Sequence, residues 1–198
     1  MISIDPTMQT ERENYKLLIG GIIPRPIAFV TSMAVDGTIN GAPFSYFSIV
    51  SSNPPMISVA VQRKNGKQKD TARNISATKE FVVHIVDEEN VDKINETAAS
   101  LLPEESELIR AKLTPTQSVK ISVPGVEEAK MRLECILEQS MEIAGNTDLI
   151  IGKIVHFHVH EQIYSNGRID PRGLSAVSRL AGNSYGKIGD IFDIERPK

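Results

Sequence analysis

The sequence predicts a mainly β protein, an antiparallel barrel that is closed or nearly closed and carries a few peripheral helices. Short apolar or alternating runs are separated by turn pairs such as Asp36-Gly37 and Asn166-Gly167, which is typical of antiparallel strands. Strands and helices do not alternate regularly, so a doubly wound parallel sheet is disfavoured. At 198 residues the chain is expected to form a single domain over residues 1–198.

The composition excludes several classes of partner. Hydrophobic residues make up 40% of the chain and charged residues 24%, and the net charge of −3 argues against nucleic acid or anionic membranes as partners. No apolar run approaches the roughly 18 residues that a membrane span requires, and no signal peptide is visible. The single cysteine, Cys135, allows no intramolecular disulfide. We therefore expect a cytoplasmic protein.

Apolar patterning places the individual elements. Strands are expected at about 27–34, 56–61, 81–86, 130–138 and 149–160. Helices are expected within 1–20, from 70 to 75 with Asp70 as N-cap, from 90 to 100, and from 103 to 112. In the strand at 130–138, Cys135 lies on the apolar face and is a small core residue, whereas Glu134 lies on the opposite face.

The stretch 40–55 is unusual because it combines hydroxyl groups with aromatic rings. It is predicted to form one short strand, with Ser45 and Phe47 on one face and Phe44 and Tyr46 on the other. Pro43 removes a backbone donor at the start of this strand, and Pro54-Pro55 ends it. Such a strand could cradle a flat ligand that carries an anionic tail.

The segment 62–73 is strongly basic. It carries Arg63, Lys64, Lys67, Lys69 and Arg73 against the single acidic residue Asp70. Backbone N–H groups at a helix N-terminus favour an anion, so Lys69, Thr71 and Arg73 could hold a phosphate group. The alternative is an ordinary solvated surface loop.

Three histidines alternate along the last long strand. His156, His158 and His160 would share one face, yet the outer two would lie about 13 Å apart, too far to bind one metal ion together. We therefore expect no metal site. His156 or His158 could instead approach a bound ligand, or the three could form a polar face or a subunit contact.

Four segments together resemble the flavin reductase-like, FMN-binding split β-barrel family, over roughly residues 15–190. The residues that carry the resemblance are Pro24 to Ser32, Asn40, Ala42, Pro43, Ser45, Phe47, Pro54, Pro55, Lys69, Asp70, Thr71, Asn74, Ile75 and Arg179 to Tyr185. Ala181 stands where the family more often has glycine. The resemblance implies a Greek-key split barrel, FMN as cofactor, NADH or NADPH as electron donor, and a homodimer.

The resemblance also implies a set of cofactor-binding residues and no catalytic side chain. The ring is expected to be bordered by Asn40, Ala42, Pro43, Phe44, Ser45 and Tyr46. The ribityl phosphate is expected near Thr31, Ser32, Ser48, Lys69, Thr71 and Asn74. His158, Arg179 and Tyr185 complete the set. Several have a plain structural alternative: Asn40 could close the Asp36-Gly37 hairpin, and Tyr46 could be core.

The activity that the resemblance implies is an FMN-dependent NAD(P)H:flavin reductase. Two alternatives remain open: an FMN electron carrier of the flavoredoxin type that acts with a redox protein partner, and a flavin-binding module without a catalytic cycle. A haem-binding variant through the histidines is a further alternative.

Overall fold

The computed structural model describes residues 1–98 and 106–197. The strands are β1 (Arg25–Pro26), β2 (Ala28–Met33), β3 (Ile39–Phe44), β4 (Phe47–Ser52), β5 (Pro55–Gln62), β6 (Glu80–Ile85), β7 (Pro115–Thr116), β8 (Gly125–Val126), β9 (Met131–Ile143), β10 (Thr147–Val159), β11 (Tyr164–Ser165), β12 (Arg168–Ile169), β13 (Ser178–Arg179) and β14 (Tyr185–Gly186). The helices are α1 (Glu11–Gly21), α2 (Asp70–Thr78), α3 (Val91–Glu96), α4 (Glu107–Arg110) and α5 (Pro171–Leu174).

The main sheet has seven strands in the order β3-β2-β6-β9-β10-β5-β4, and the neighbouring strands are antiparallel. Its two edge strands, β3 and β4, are consecutive in the chain and are joined only by Ser45 and Tyr46. A flat sheet would hold these edges roughly 29 Å apart, whereas the link spans at most about 11 Å. The sheet must therefore roll until its edges meet at this corner, and the predicted mainly β barrel is confirmed.

The prediction of one continuous strand through 45–51 is wrong. The alternating pattern persists on both sides of Ser45-Tyr46, but the chain crosses there from one sheet edge to the other. Pro43 lies inside β3, opposite Phe29, and not at the start of a strand. Because β3 is an edge strand, its outward-facing N–H positions have no ladder partner to lose, and the sheet tolerates proline there.

Two buried clusters flank the sheet, and β2 contributes to both. Ala28 and Val30 join Phe81 in one cluster, whereas Phe29 joins Leu108 in the other. Burial on both faces explains why this part of the chain reads as an unbroken apolar run and not as an alternating one.

The helix ends differ from the sequence prediction: α2 extends past the predicted end at 75, whereas α4 ends before the predicted end at 112. α1 begins at a capping box formed by Thr10 and Glu13 and ends at Gly21, close to the predicted end. α2 is preceded by Lys69 as N-cap, so the predicted N-cap role of Asp70 is wrong: Asp70 is the first helical residue and pairs with Arg73. α3 and α4 cover parts of the predicted helices 90–100 and 103–112, of which residues 99–105 lie outside the described residues.

β9 extends well past the predicted end of its strand. One of its faces is buried as predicted, and the other is covered where an open face was expected. Leu133 and Cys135 enter the core as expected. Glu134 was expected on an open face but is fully buried, because the irregular segment 117–123 lies over it. Its carboxylate accepts hydrogen bonds from the N–H groups of Val119 and Lys120, both at 2.7 Å.

Candidate cofactor groove

A groove opens at the corner where β3 passes into β4. It consists of three adjoining cavities of about 500, 180 and 150 Å³ that share Pro43 and Phe44 in their walls. We call this region the corner groove. Its lining residues are Tyr15, Ile19, Arg25, Ile27, Asn40, Ala42, Pro43, Phe44, Ser45, Tyr46, Ala60, Gln62, Lys64, Asn65, Lys67, Gln68, Lys69, Asp70, Thr71, Asn95, Thr97, Ala98, Glu107, Arg179, Leu180, Gly182 and Tyr185.

One end of the corner groove is cationic. Lys69 precedes α2, and no side chain caps the free N–H groups of this helix. The Lys69 Nζ atom lies 5.7 Å from the centroid of the Phe44 ring. Partial burial, together with the like charge of Lys64, lowers the pKa of Lys69. A free helix N-terminus beside an ammonium group is an arrangement that binds anions.

The basic loop that carries these lysines is held by its neighbours. Asn65 and Gly66 adopt positive φ values of 53° and 73° and form the tight turn that their sequence predicts. Arg63 makes a two-pronged contact with Asp148 at 3.1 and 2.7 Å, and Gln68 donates to the same carboxylate at 2.9 Å. Arg63 therefore anchors the loop.

Lys67 and Lys69 differ from Arg63 in having no carboxylate partner within the described residues, 1–98 and 106–197. Arg73 is paired with Asp70, so its predicted role in holding phosphate has a competitor inside α2 itself. The groove thus keeps available positive charge at the start of α2.

The cavity of about 500 Å³ is also lined by a linked set of polar side chains. Asn40 donates from Nδ2 to both carboxylate oxygens of Glu107, at 3.0 Å each. Thr71 donates its hydroxyl proton to Asn40 Oδ1 at 2.9 Å. Burial raises the pKa of Glu107, and the N–H group of Gly41, which donates to this carboxylate at 3.3 Å, opposes that shift.

Apolar and aromatic residues form the part of the lining that the three cavities share. Pro43 and Phe44 line all three cavities, and Ser45 and Tyr46 follow them at the corner. Burial raises the pKa of Tyr46, and the neighbouring Tyr15 adds to the shift. This wall offers apolar and aromatic surface against which a planar ring system could pack.

The segment from β13 to β14 borders one side of the groove. The Arg179 guanidinium lies 4.4 Å from the centre of the Tyr185 ring and donates to Gly182 O at 2.7 Å. The Tyr185 hydroxyl donates to Asn95 Oδ1 at 3.0 Å. Both side chains that the resemblance singled out in this segment therefore border the groove.

Arg25 joins α1 to this segment. Its guanidinium donates to the carbonyl groups of Ile19 and Ile22 at the end of α1, both at 2.8 Å, and to Leu180 O at 2.9 Å. Its Nε atom is buried without a hydrogen-bond partner among the described residues. Arg25 stabilises the carbonyl end of α1 and adds positive charge to the groove.

The structure brings together most of the predicted site residues. Those that line the corner groove are Asn40, Ala42, Pro43, Phe44, Ser45, Tyr46, Lys69, Thr71, Arg179 and Tyr185. Ser32 and Asn74 are buried behind Asn40. Asn74 Nδ2 donates to Ser32 Oγ at 3.4 Å, and Ser32 Oγ lies 3.5 Å from Asn40 Oδ1. They support the wall and do not line the groove.

Three predicted residues lie elsewhere. Thr31 is fully buried and donates to Pro124 O at 2.7 Å, and Ser48 is exposed on β4. His158 Nε2 lies 2.6 Å from Glu134 Oε1, so this imidazole contacts the buried carboxylate and not the groove. Among residues 1–98 and 106–197, no group of three or more His, Cys, Asp or Glu side chains is arranged to hold a metal ion.

Glu107 and Arg25 are two of the groove residues that the sequence-based site prediction did not include. Glu107 reaches Asn40 across 67 positions of the chain, and no local pattern marks it. Arg25 belongs to the Pro24-Arg25-Pro26 segment that carries part of the family resemblance, which is a signal that could have assigned it to the site.

Comparison with known proteins agrees with this geometry. The family described as "Flavin reductase like domain" matches residues 20–173. The chain belongs to this family. The predicted family and its split-barrel fold are thereby confirmed.

Solved structures and curated relatives extend the match to nearly the whole chain. The crystal structure of nitrilotriacetate monooxygenase component B from Bacillus cereus is 57% identical, with a TM-score of 0.97 and 98% of each chain covered. The 2-nitrobenzoate 2-nitroreductase NbaA of Pseudomonas fluorescens is 28% identical, with a TM-score of 0.92, covering 99% of this chain and 96% of that one. The uncharacterized protein YwrF of Bacillus subtilis is 49% identical and covers 94% of each chain.

The family and these neighbours indicate a flavin-binding oxidoreductase. No helix in the described part of the chain is both long and apolar enough to cross a membrane.

Proposed function

We propose that this protein binds FMN in the corner groove and reduces it with NADH or NADPH. One observation carries the proposal: the uncapped N-terminus of α2 and Lys69 line the same cavity as Pro43 and Phe44. FMN joins a planar ring system to a phosphate through a polyhydroxylated chain, and the groove offers one type of surface for each part.

The residues present fit this cofactor. The largest of the three cavities that form the corner groove, about 500 Å³, is within the usual range of about 300–1,000 Å³ for ligand sites. Phosphate would lie against Lys69 and the first turn of α2, where free N–H groups and an ammonium group converge. The ring would pack near Pro43, Phe44 and Tyr46.

Each part of the chain would have a binding or positioning role. Bound FMN supplies the redox chemistry, as it accepts a hydride from a nicotinamide and passes electrons on. Phe44 and Pro43 would exclude water from one face of the ring, and Arg179 with Tyr185 would border its open side. No side chain is required as a general acid or base in this scheme.

The electron acceptor is proposed to be a second protein. The 57% identical structure is named as component B of a monooxygenase, a name that denotes one part of a system with several proteins. By analogy, this chain would hand reduced flavin or its electrons to a separate component.

We further propose that the protein is a cytoplasmic homodimer. The edge strand β4 carries an exposed apolar pair, Ile49 at 80% and Val50 at 48% exposure. A second copy of the chain would cover it. Sedimentation of the purified protein at micromolar concentration should give the mass of two chains, and a single-chain mass would refute this part.

An anaerobic visible absorption spectrum tests the proposed activity. FMN is added to the purified protein, and NADH or NADPH is then added in separate cuvettes. Bleaching of the flavin band by one nicotinamide, faster than in a protein-free control, is the expected result and identifies the donor.

Two other outcomes of this experiment would contradict the proposed reductase activity or the proposed binding of FMN. FMN that binds but is bleached by neither nicotinamide contradicts the reductase activity and leaves the electron-carrier or binding-module alternative. If FMN does not perturb the protein and its spectrum is unchanged by the protein, the binding proposal itself is wrong.

A further inference from the structure

We propose that Glu107 sets the hydrogen-bond polarity of one groove wall, so that this wall accepts hydrogen bonds from the hydroxyl groups of a polyol chain. This inference rests on the proposed binding of flavin and assigns a residue and a ligand class to one part of the site. The linked side chains are Glu107, Asn40 and Thr71, which we call the acceptor wall.

The first step is the orientation of the Asn40 amide. An ionised carboxylate only accepts hydrogen bonds, so Glu107 requires the NH₂ group of Asn40 to face it. The carbonyl oxygen of Asn40 must then point away from Glu107. An asparagine without this neighbour could present either end to the groove.

The orientation of the Asn40 amide also fixes the direction of the hydrogen bond that Thr71 makes. The Asn40 carbonyl oxygen accepts from the Thr71 hydroxyl at 2.9 Å, so the single proton of that hydroxyl is already used. The lone pairs of Thr71 Oγ1 remain to accept. Thr71 therefore cannot donate its hydroxyl proton to a phosphate while this chain of hydrogen bonds is intact.

The Glu107 carboxylate also adds negative charge to this wall. A carboxylate has about four acceptor positions, and Glu107 uses only some of them on Asn40 Nδ2 and Gly41 N. Its negative charge would repel a phosphate, which is drawn instead to Lys69 in the lining of the same cavity. Hydroxyl groups, which can donate, are the groups that suit this wall.

The position of Glu107 is built into the fold. A Cβ atom on Gly41 would lie 2.5 Å from Leu108 Cδ1 and 2.7 Å from Phe29 Cζ, so a larger residue would force these two buried side chains to shift. Ser106 also donates to Ile39 O at 2.9 Å. Glu107 is 8% exposed, and a buried carboxylate is costly, which favours a role beyond fastening α4 to the sheet.

The test compares three flavins that differ in one part each. FMN has ring, polyol and phosphate; riboflavin lacks the phosphate; lumiflavin lacks both phosphate and polyol. Their dissociation constants are measured by quenching of flavin fluorescence with wild type and with Glu107→Gln. We expect roughly tenfold weaker binding of FMN and riboflavin by the variant and unchanged binding of lumiflavin.

Two results would overturn the inference. One is equal weakening of all three ligands, which indicates a general loss of structure in the groove. The other is no weakening of riboflavin. By contrast, a wild-type protein that binds none of the three overturns the proposed function itself.

A second pair of variants keeps the inference testable if Glu107→Gln does not fold. Thr71→Val removes the hydroxyl group and Thr71→Ser restores it on a smaller side chain. Weaker riboflavin binding by Thr71→Val that Thr71→Ser rescues is expected, with lumiflavin again unaffected. Riboflavin affinity that is the same in both variants would contradict the acceptor wall.

Discussion

Two polar regions of this barrel differ in whether their hydrogen-bonding groups are satisfied within the chain. On β6 and β9, His84 and Glu134 are fully buried and each polar atom of these two side chains has a partner: His84 Nδ1 contacts Phe29 O at 2.9 Å, and its Nε2 accepts from Val126 N at 3.0 Å. At the corner groove, Lys69 has no carboxylate partner in the described residues, and α2 begins without a side-chain cap.

We therefore assign the first region to the stability of the fold and the corner groove to ligand binding. Buried polar groups that satisfy one another rigidify a fold, whereas donors left open at a cavity are available to a ligand. His158 was predicted to bind the cofactor, yet it belongs to the satisfied region through Glu134. Residue type alone could not distinguish the two regions.

The largest expected effect is on stability, in the satisfied region. Glu134→Ala should lower the free energy of unfolding by about 3–5 kcal/mol, because it leaves His158 and the N–H groups of Val119 and Lys120 without their acceptor. Urea denaturation measures this loss. Glu138→Ala, an exposed position on the same strand, is the control and should change stability by less than about 0.5 kcal/mol. Similar losses of unfolding free energy in Glu134→Ala and Glu138→Ala would contradict the stabilising role of the hydrogen bonds to Glu134.

The next effect is a dependence of stability on pH. Burial, reinforced by the positive charge of Arg132, lowers the pKa of His84 to about 3, while the unfolded value is about 6.5. The unfolded chain therefore binds the extra proton first, and stability falls on acidification between these values by up to about 1.4 kcal/mol per pH unit. Urea midpoints at pH 7.5, 6.5 and 5.5 measure the slope.

The variant that tests this slope is His84→Gln, which should be less stable than wild type at pH 7.5 and show a flatter dependence of stability on pH below pH 6.5. A His84→Gln variant with the full wild-type slope would show that another group binds the proton.

A smaller effect is expected at the groove, and it should appear in binding only. Lys69→Ala should weaken FMN by about 1.5–3 kcal/mol through loss of a charged contact to phosphate. Its stability should stay within about 0.5 kcal/mol of wild type, because Lys69 has no carboxylate partner among the described residues. Flavin fluorescence quenching gives the affinity, and Lys16→Ala on α1 is the charge-matched control. Equal FMN affinity in both variants would contradict the phosphate assignment.

The smallest effect is that of salt. Raising the ionic strength from about 0.05 M to 0.5 M should weaken FMN several-fold by screening the lysines, and should leave riboflavin almost unchanged. Titrations of both flavins at the two salt concentrations test this. A parallel change for the two ligands would place the phosphate away from the cationic end.

The strand segments and the groove lining from Asn40 to Tyr46 could be predicted because their signals are local. Alternation in 130–138 marks a strand, and the Asn40 to Tyr46 segment carries the family pattern. Glu107 could not be predicted, since it reaches Asn40 only after α4 docks on Gly41. The burial of Glu134 was likewise hidden, because the covering segment 117–123 has no regular pattern of its own.

The division of the 40–55 stretch into β3 and β4 depends on the whole sheet. Alternation continues through Ser45 and Tyr46, so nothing local shows that the chain leaves one edge of the barrel and joins the other. Only the pairing of β3 with β2 and of β4 with β5 places the two strands at opposite edges.

A crystal structure of the protein with FMN tests the central claim most directly. The account predicts the phosphate at hydrogen-bonding distance from the first-turn N–H groups of α2 and from Lys69, with the ring against Pro43 and Phe44. Density that places the phosphate beside Glu107, or the flavin outside the corner groove, would contradict it.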